Sequence, residues 1–137
     1  MTSDCALTGG CLCGAIRYRA GGPLAAATCC HCASCRRATG AHAVVWVTVA
    51  AASLHYTAGM PATFQSSDSV RRTFCADCGS PLSYWNAARE GEIDLAIGSL
   101  DEPAAMPPRD HIWMDDALAW HNPRDGLPLR PRGHDPR

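Results

Sequence analysis

Cys75-Ala76-Asp77-Cys78-Gly79 is the stretch from which the fold can be read. Two residues between the sulfurs let both reach one metal ion. The backbone amides of such a tight turn can donate to them, and Gly79 permits the positive φ the turn commonly needs. A knuckle of this kind supplies half of a tetrahedral site. The other half is expected from Cys11-Leu12-Cys13. One residue apart, Cys11 and Cys13 would share a face on a strand, and a turn at Gly9-Gly10 is a second way to aim them. Joining the two pairs closes a long loop and ties the start of the chain to its middle. The expectation is a closed, structural zinc site on Cys11, Cys13, Cys75 and Cys78.

Three more sulfurs lie in Cys30-His31-Cys32-Ala33-Ser34-Cys35. A structural zinc site takes four ligands, whereas a catalytic one keeps three and leaves a position open. Cys30, Cys32 and Cys35 therefore read as an open, catalytic zinc site. If Cys30 and Cys32 end a strand, both point one way and His31 points the other. Cys35 then enters from the first turn of a short helix, where the helix N-terminus and a metal both favour thiolate. Water, a small molecule or a substrate thiol could fill the open position. The plainer alternative is a second structural zinc completed by a histidine. His31 is expected at the surface or behind the ligands, with proton carrier or substitute ligand as the other readings. Cys29, facing away from Cys30, is expected to be a buried apolar residue, and Cys5 is given no role. Arg36 and Arg37 stand on the helix beside the open site, where they could attract a carboxylate or simply be solvated.

The chain has 137 residues and a formal net charge of −1. That length suits one domain. Nine cysteines is an odd count, and their spacing suits metal better than disulfides. Met1 to Gly10 shows neither the basic start nor the apolar run of a secretory signal. The longest apolar stretch, Ala41 to Ala52, is interrupted by His42 and Thr48 and is too short to span a bilayer. The expectation is a cytoplasmic protein with no membrane partner. Loading seven thiolates with two zinc ions would make the chain more acidic still, which excludes the basic face of a nucleic-acid binder.

Short apolar runs broken by Gly, Pro and Ser predict many short strands. The candidates are Ala15 to Arg19, Ala25 to Cys32, Ala43 to Val49, Ser53 to Tyr56, Thr63 to Ser66, Val70 to Phe74, Leu82 to Trp85 and Ile93 to Ile97. The β-branched run at Ala43 reads as a buried strand. One helix is predicted over Ser34 to Thr39, stopped by Gly40, with a second short turn near Asp115 to Trp120. Asn122 to Arg137, rich in Pro, Gly and Arg, reads as a loop and frayed tail.

With these residues the chain resembles the glutathione-dependent formaldehyde-activating enzyme family, also called the centromere protein V domain. The matching pieces begin with Gly10-Cys11-Leu12-Cys13-Gly14, Cys30-His31-Cys32-Ala33-Ser34-Cys35-Arg36 and Thr39-Gly40. Phe64 and Ser66-Ser67 follow, then the run from Arg72 to Leu82 around Cys75 and Cys78. Gly98-Ser99-Leu100-Asp101, His111-Ile112-Trp113 and Trp120 complete the set. The resemblance implies a mainly β fold of small stacked sheets around a structural zinc, similar to the guanine-nucleotide-exchange chaperone-like zinc fold. It places an N-terminal tail at 1–8, the zinc domain at 9–121 and a C-terminal loop and tail at 122–137. It implies two zinc ions, structural on Cys11, Cys13, Cys75 and Cys78, catalytic on Cys30, Cys32 and Cys35. The implied activity is that of a carbon–sulfur lyase, acting on the adduct of a small-molecule thiol such as glutathione with formaldehyde. His111 and Trp113 could line the site, or be an interior pair. The competing expectations are a non-catalytic zinc module that binds a partner, and a thiol or zinc sensor.

Overall fold

The computed structural model describes residues 6–134, so Cys5 lies outside the described residues. The chain is mainly β. Ten strands and one helix follow in order: β1 (Leu7–Gly10), β2 (Arg17–Ala20), β3 (Ala27–Cys30), α1 (Ala33–Thr39), β4 (Val44–Ala50), β5 (His55–Ala58), β6 (Ala62–Ser67), β7 (Val70–Phe74), β8 (Pro81–Asn86), β9 (Glu92–Ala96) and β10 (Pro108–Ile112). Five single 3-10 turns punctuate them, one at Met114–Asp116 within the expected turn near Asp115.

A three-stranded sheet, β1-β2-β5, and a seven-stranded sheet, β10-β3-β4-β9-β8-β7-β6, make up the fold. Every pairing is antiparallel except β10 with β3. Tyr18 from the first sheet, with Ile16 just before β2, packs with Val47, Val49, Leu82 and Leu95 from the second, and all six are buried. The alternation expected of a half-buried strand puts these residues on one face. A second buried cluster joins Cys30, Cys35, Trp46 and Ala96.

Two strands were not legible as strands. β1 reads Leu-Thr-Gly-Gly, without β-branched apolar residues to mark it. Gly9 lies opposite Tyr18 of β2 and also bridges Leu100, which brings the Ser99 carbonyl and the Tyr18 hydroxyl so close that only glycine fits. A Cβ on Gly9 would sit 2.4 Å from the Ser99 carbonyl and 2.5 Å from the Tyr18 hydroxyl, which itself bonds Ser99 Oγ at 2.6 Å. β10 reads Pro-Arg-Asp-His-Ile and becomes a strand through its parallel partner β3. The expected strand over Ala25 to Cys32 is shorter, because Cys32 leaves it to cap α1. Its backbone stays extended (φ −64°, ψ 151°) while its sulfur accepts from Cys35 N–H at 3.3 Å. Gly40 ends α1 as expected, in the left-handed region at φ 70°.

The segment expected to be a loop and frayed tail is a loop as far as it is described, and it is fastened to β10. Asp110, 1% exposed, accepts hydrogen bonds from Thr28 Oγ1, Arg130 Nε (2.8 Å) and His134 Nε2 (2.7 Å). Backbone bonds from His111 to Pro128 and from Arg130 back to His111 continue the attachment.

Candidate metal centre

The first cysteine group is built from two turns of the same design. Cys11 N–H donates to the Ile16 carbonyl (3.1 Å), and Cys75 N–H donates to the Ser80 carbonyl (3.0 Å). Each turn needs a glycine in the left-handed region, Gly14 at φ 81° and Gly79 at φ 79°. The two turns face each other, and Leu12 N–H donates to Ser80 Oγ at 3.0 Å across the gap. The expected turn at Gly9-Gly10 gives way to strand β1, and Cys11 and Cys13 do not share a strand face either: a turn from Cys11 to Gly14, after β1, aims them.

Sγ atoms of Cys11 and Cys13 are 3.6 Å apart, and those of Cys13 and Cys75 3.8 Å. Four sulfurs at tetrahedral positions 2.3 Å from a zinc ion would stand about 3.8 Å from one another. All four, with Cys78, form one group able to hold a metal ion. Its sulfurs also have the donors such a site wants: Ile16 N–H reaches Cys11 Sγ at 3.2 Å, and Ser80 Oγ lies 3.2 Å from Cys78 Sγ. The Ser80 hydroxyl and amide bring the Cys78 thiol down to about 5.

Cys30, Cys32 and Cys35 form a second such group, which closes at three ligand atoms among the described residues. Cys30 ends β3 and Cys35 lies in the first turn of α1, as expected from spacing, whereas Cys32, expected on the strand end, caps α1. Cys30 and Cys35 are 5% and 4% exposed, and Cys32 is half-buried. Thiol donation from Cys30 and Cys35 pushes the Cys32 thiol down, and Cys35 N–H and the Arg72 guanidinium act the same way against burial. The same thiol–thiol bonds push Cys30 up.

These sulfurs line one end of a cavity of about 430 Å³, with Trp46, Tyr84, Ile112 and Trp113 among its walls. Arg72 on β7 lines the same cavity beside them. Both Nη atoms of Arg72 are 3.7 Å from Cys35 Sγ, and its guanidinium lies 4.9 Å over the Tyr84 ring. Arg72 is only 9% exposed, and its Nε has no hydrogen-bond partner among the described residues. A buried cation is costly without an anionic neighbour, and the thiolate-favouring cysteine group is that neighbour. Arg89 also borders the cavity, but it is engaged by Glu92 at 2.8 Å and Asp94 at 3.0 Å.

The cations expected beside the open site do other work. Arg36 donates to the Asp116 carbonyl at 2.7 Å, and Arg37 is exposed and borders a neighbouring groove. Sequence reasoning quoted Arg72 without giving it a role. Its signal was alternation along β7, which turns Arg72 to the buried face while Arg71 stays exposed. His31 faces away from the three cysteines and is fully buried behind them, the second of the two places expected. His111 is buried with it, and Trp113 is 37% exposed at the cavity wall.

A family model described as glutathione-dependent formaldehyde-activating enzyme matches residues 6–116. The chain belongs to this family. A Rhodobacter sphaeroides protein of known crystal structure shares the fold, with a TM-score of 0.59 and 22% identity over 90% of this chain and 98% of that one. No curated protein matches the chain. Family membership ties the chain to glutathione-related formaldehyde chemistry at the level of the family. Among the described residues no helix is long and apolar enough to cross a membrane.

Proposed function

We propose that the protein is a zinc-dependent carbon–sulfur lyase that joins a small thiol to an aldehyde, with glutathione and formaldehyde as the leading pair. The observation that carries this reading is the convergence of Cys30, Cys32 and Cys35 on a walled cavity, with a buried arginine against their sulfur. Cys11, Cys13, Cys75 and Cys78 would hold a structural zinc, and the zinc-binding unit would span 9–121 with the tails outside it.

Cys30, Cys32 and Cys35 would hold the catalytic zinc. Zinc in that position supplies Lewis acidity, which keeps thiols deprotonated at neutral pH. The balance of the reaction is simple. A carbon–sulfur bond forms, the carbonyl π bond breaks, and the proton lost by the thiol ends on the new hydroxyl. The chain's own residues do the rest. Arg72 places a fixed positive charge where the thiol loses its proton and the aldehyde oxygen gains electron density. Trp46, Ile112 and Trp113 give the cavity apolar walls, against which that charge acts more strongly than in bulk water. Ser66 and Ser67 offer hydroxyls on the β6 side of the same cavity for the polar parts of the thiol.

Exchange NMR of glutathione with labelled formaldehyde tests the reading, with the zinc-loaded protein and with Cys32→Ser. The adduct forms unaided, so the excess exchange rate is the quantity read. A clear excess that vanishes in Cys32→Ser is the expected result. No excess from a fully loaded protein would remove the glutathione–formaldehyde pair.

A further inference from the structure

The reverse face of β3 carries a cluster that the proposed chemistry leaves unused. Alternation sends Cys30 and Cys32 toward the cavity and Cys29 and His31 the other way. Parallel pairing sets His111 of β10 directly opposite Cys29. The three are 8%, 0% and 4% exposed for Cys29, His31 and His111. Their donor atoms converge: His31 Nε2 lies 3.7 Å from Cys29 Sγ and 2.9 Å from His111 Nδ1. All three atoms fall within 4.8 Å of one another.

Zinc bonds of about 2.3 Å to sulfur and 2.0–2.1 Å to nitrogen would separate tetrahedral S and N by about 3.6 Å and two N by about 3.3 Å. Cys29 and His31 meet the first spacing, His111 Nδ1 lies within 4.8 Å of the sulfur, and the two nitrogens need to part by a few tenths of an ångström. The far nitrogen of His111 is already held, with Nε2 2.7 Å from Asp125 Oδ2. A carboxylate there keeps the proton on Nε2 and leaves the Nδ1 lone pair facing the cluster, the arrangement found behind metal-bound histidines. A plain hydrogen-bonded pair accounts for the contact between the rings. His31 Nδ1, fully buried, has no partner among the described residues whether Nε2 meets a proton or a metal ion. A graded route leads outward. The His31 ring is 5.3 Å from His121, which is 4.3 Å from His42 at the surface.

We infer that Cys29, His31 and His111 form a third metal site, for a borderline first-row cation such as Zn²⁺. One thiolate and two neutral imidazoles are a donor set suited to such a cation. Bound there, the ion would clamp β10 to β3 directly behind the strand that presents Cys30 and Cys32. Its occupancy would set how firmly those two ligands are held.

Zinc titration of the metal-free full chain tests the site, with the ring nitrogens of the histidines followed by long-range proton–nitrogen NMR and bound metal counted after desalting. The expected result is that His31 Nε2 and His111 Nδ1 shift on loading, and that Cys29→Ser holds one zinc fewer per chain than the wild type. The difference in count stands apart from the two cysteine sites. Their failure would lower both proteins equally, whereas failure of this site alone would leave both with the same count. Should Cys29→Ser not fold, the wild-type ring shifts decide. Unmoved His31 and His111 rings in excess zinc would reduce the cluster to a hydrogen-bonded core pair and overturn the inference.

Discussion

The two all-cysteine groups use the same atom type and are built in opposite ways. Cys11 and Cys13 meet Cys75 and Cys78 across 62 or more residues of chain, with Cys13 exposed, Cys75 buried in the main core, and the Ile16 amide and Ser80 hydroxyl beside the sulfurs. Cys30, Cys32 and Cys35 come from six consecutive residues, two of them almost fully buried, and face a cavity and a buried cation. The long-range group uses all its donors to join two turns. The local group needs no metal to bring its sulfurs together, so its ligands are available for something else. A metal that closes a long loop acts on folding, and one held by a short local motif can act on substrate.

Substitution should separate the two roles, and the largest effect is expected at the first group. Cys75→Ser should leave a chain that is unfolded or aggregated, because metal affinity there is folding free energy. Circular dichroism and thermal melting would register it. Cys32→Ser should melt as a folded protein while losing activity. Equal unfolding by both would erase the distinction.

Arg72 sharpens the comparison. Arg72→Met keeps the apolar bulk over Tyr84 and removes the charge beside Cys35. Activity should fall about 10²-fold, in line with the removal of one fixed transition-state donor, while the metal content and melting curve stay near those of the wild type. A loss of metal together with activity would make Arg72 a structural partner of the thiolates instead.

The strap behind the three-cysteine group gives a pH test. Burial alone would raise the Asp110 carboxyl, but the Thr28 hydroxyl, Arg130 and His134 outweigh it and bring it down to about 2. An unfolded aspartate titrates near 4. Its contribution is therefore complete above about pH 4 and is lost as pH falls from there through about 2. Hydrogen exchange of the Arg130 amide should accelerate over that window. Asp110→Asn should loosen the strap at neutral pH by about 2 kcal/mol, the scale of a hydrogen bond to a charged group. At neutral pH the turns around Cys11 and Cys75 should not respond to Asp110→Asn.

The smallest effect is expected at Arg37. It is exposed and borders a groove beside the cavity, so Arg37→Ala should change kcat/KM by no more than about twofold. A tenfold rise in KM would restore the carboxylate-attracting role that its place on the helix suggests.

Much of the candidate site was legible as spacing. The two-residue gap of Cys75 and Cys78 and the entry of Cys35 from the first turn of α1 depend on local backbone geometry, which a sequence carries openly. Strands such as β4 and β7 were legible for the same reason, since their β-branched runs announce them. β1 and β10 were not, because Leu-Thr-Gly-Gly and Pro-Arg-Asp-His-Ile have no strand signal of their own. Each becomes a strand by docking on a neighbour, and Gly9 is chosen by the closeness of that docking. Arg72 was visible as a residue, but its role depends on β7 meeting α1 at Cys35.

Read alone, the amino-acid sequence determined the sulfur motifs, the mainly β character and the turning of His31 away from Cys30 and Cys32, all consequences of short-range stereochemistry. Tertiary structure decided which distant groups meet: the two knuckles across the chain, Arg72 against Cys35, and His111 beside Cys29. Those meetings follow from strand order and register, which are set by the packing of two sheets and by parallel pairing of residues some 80 positions apart. No local spacing encodes that.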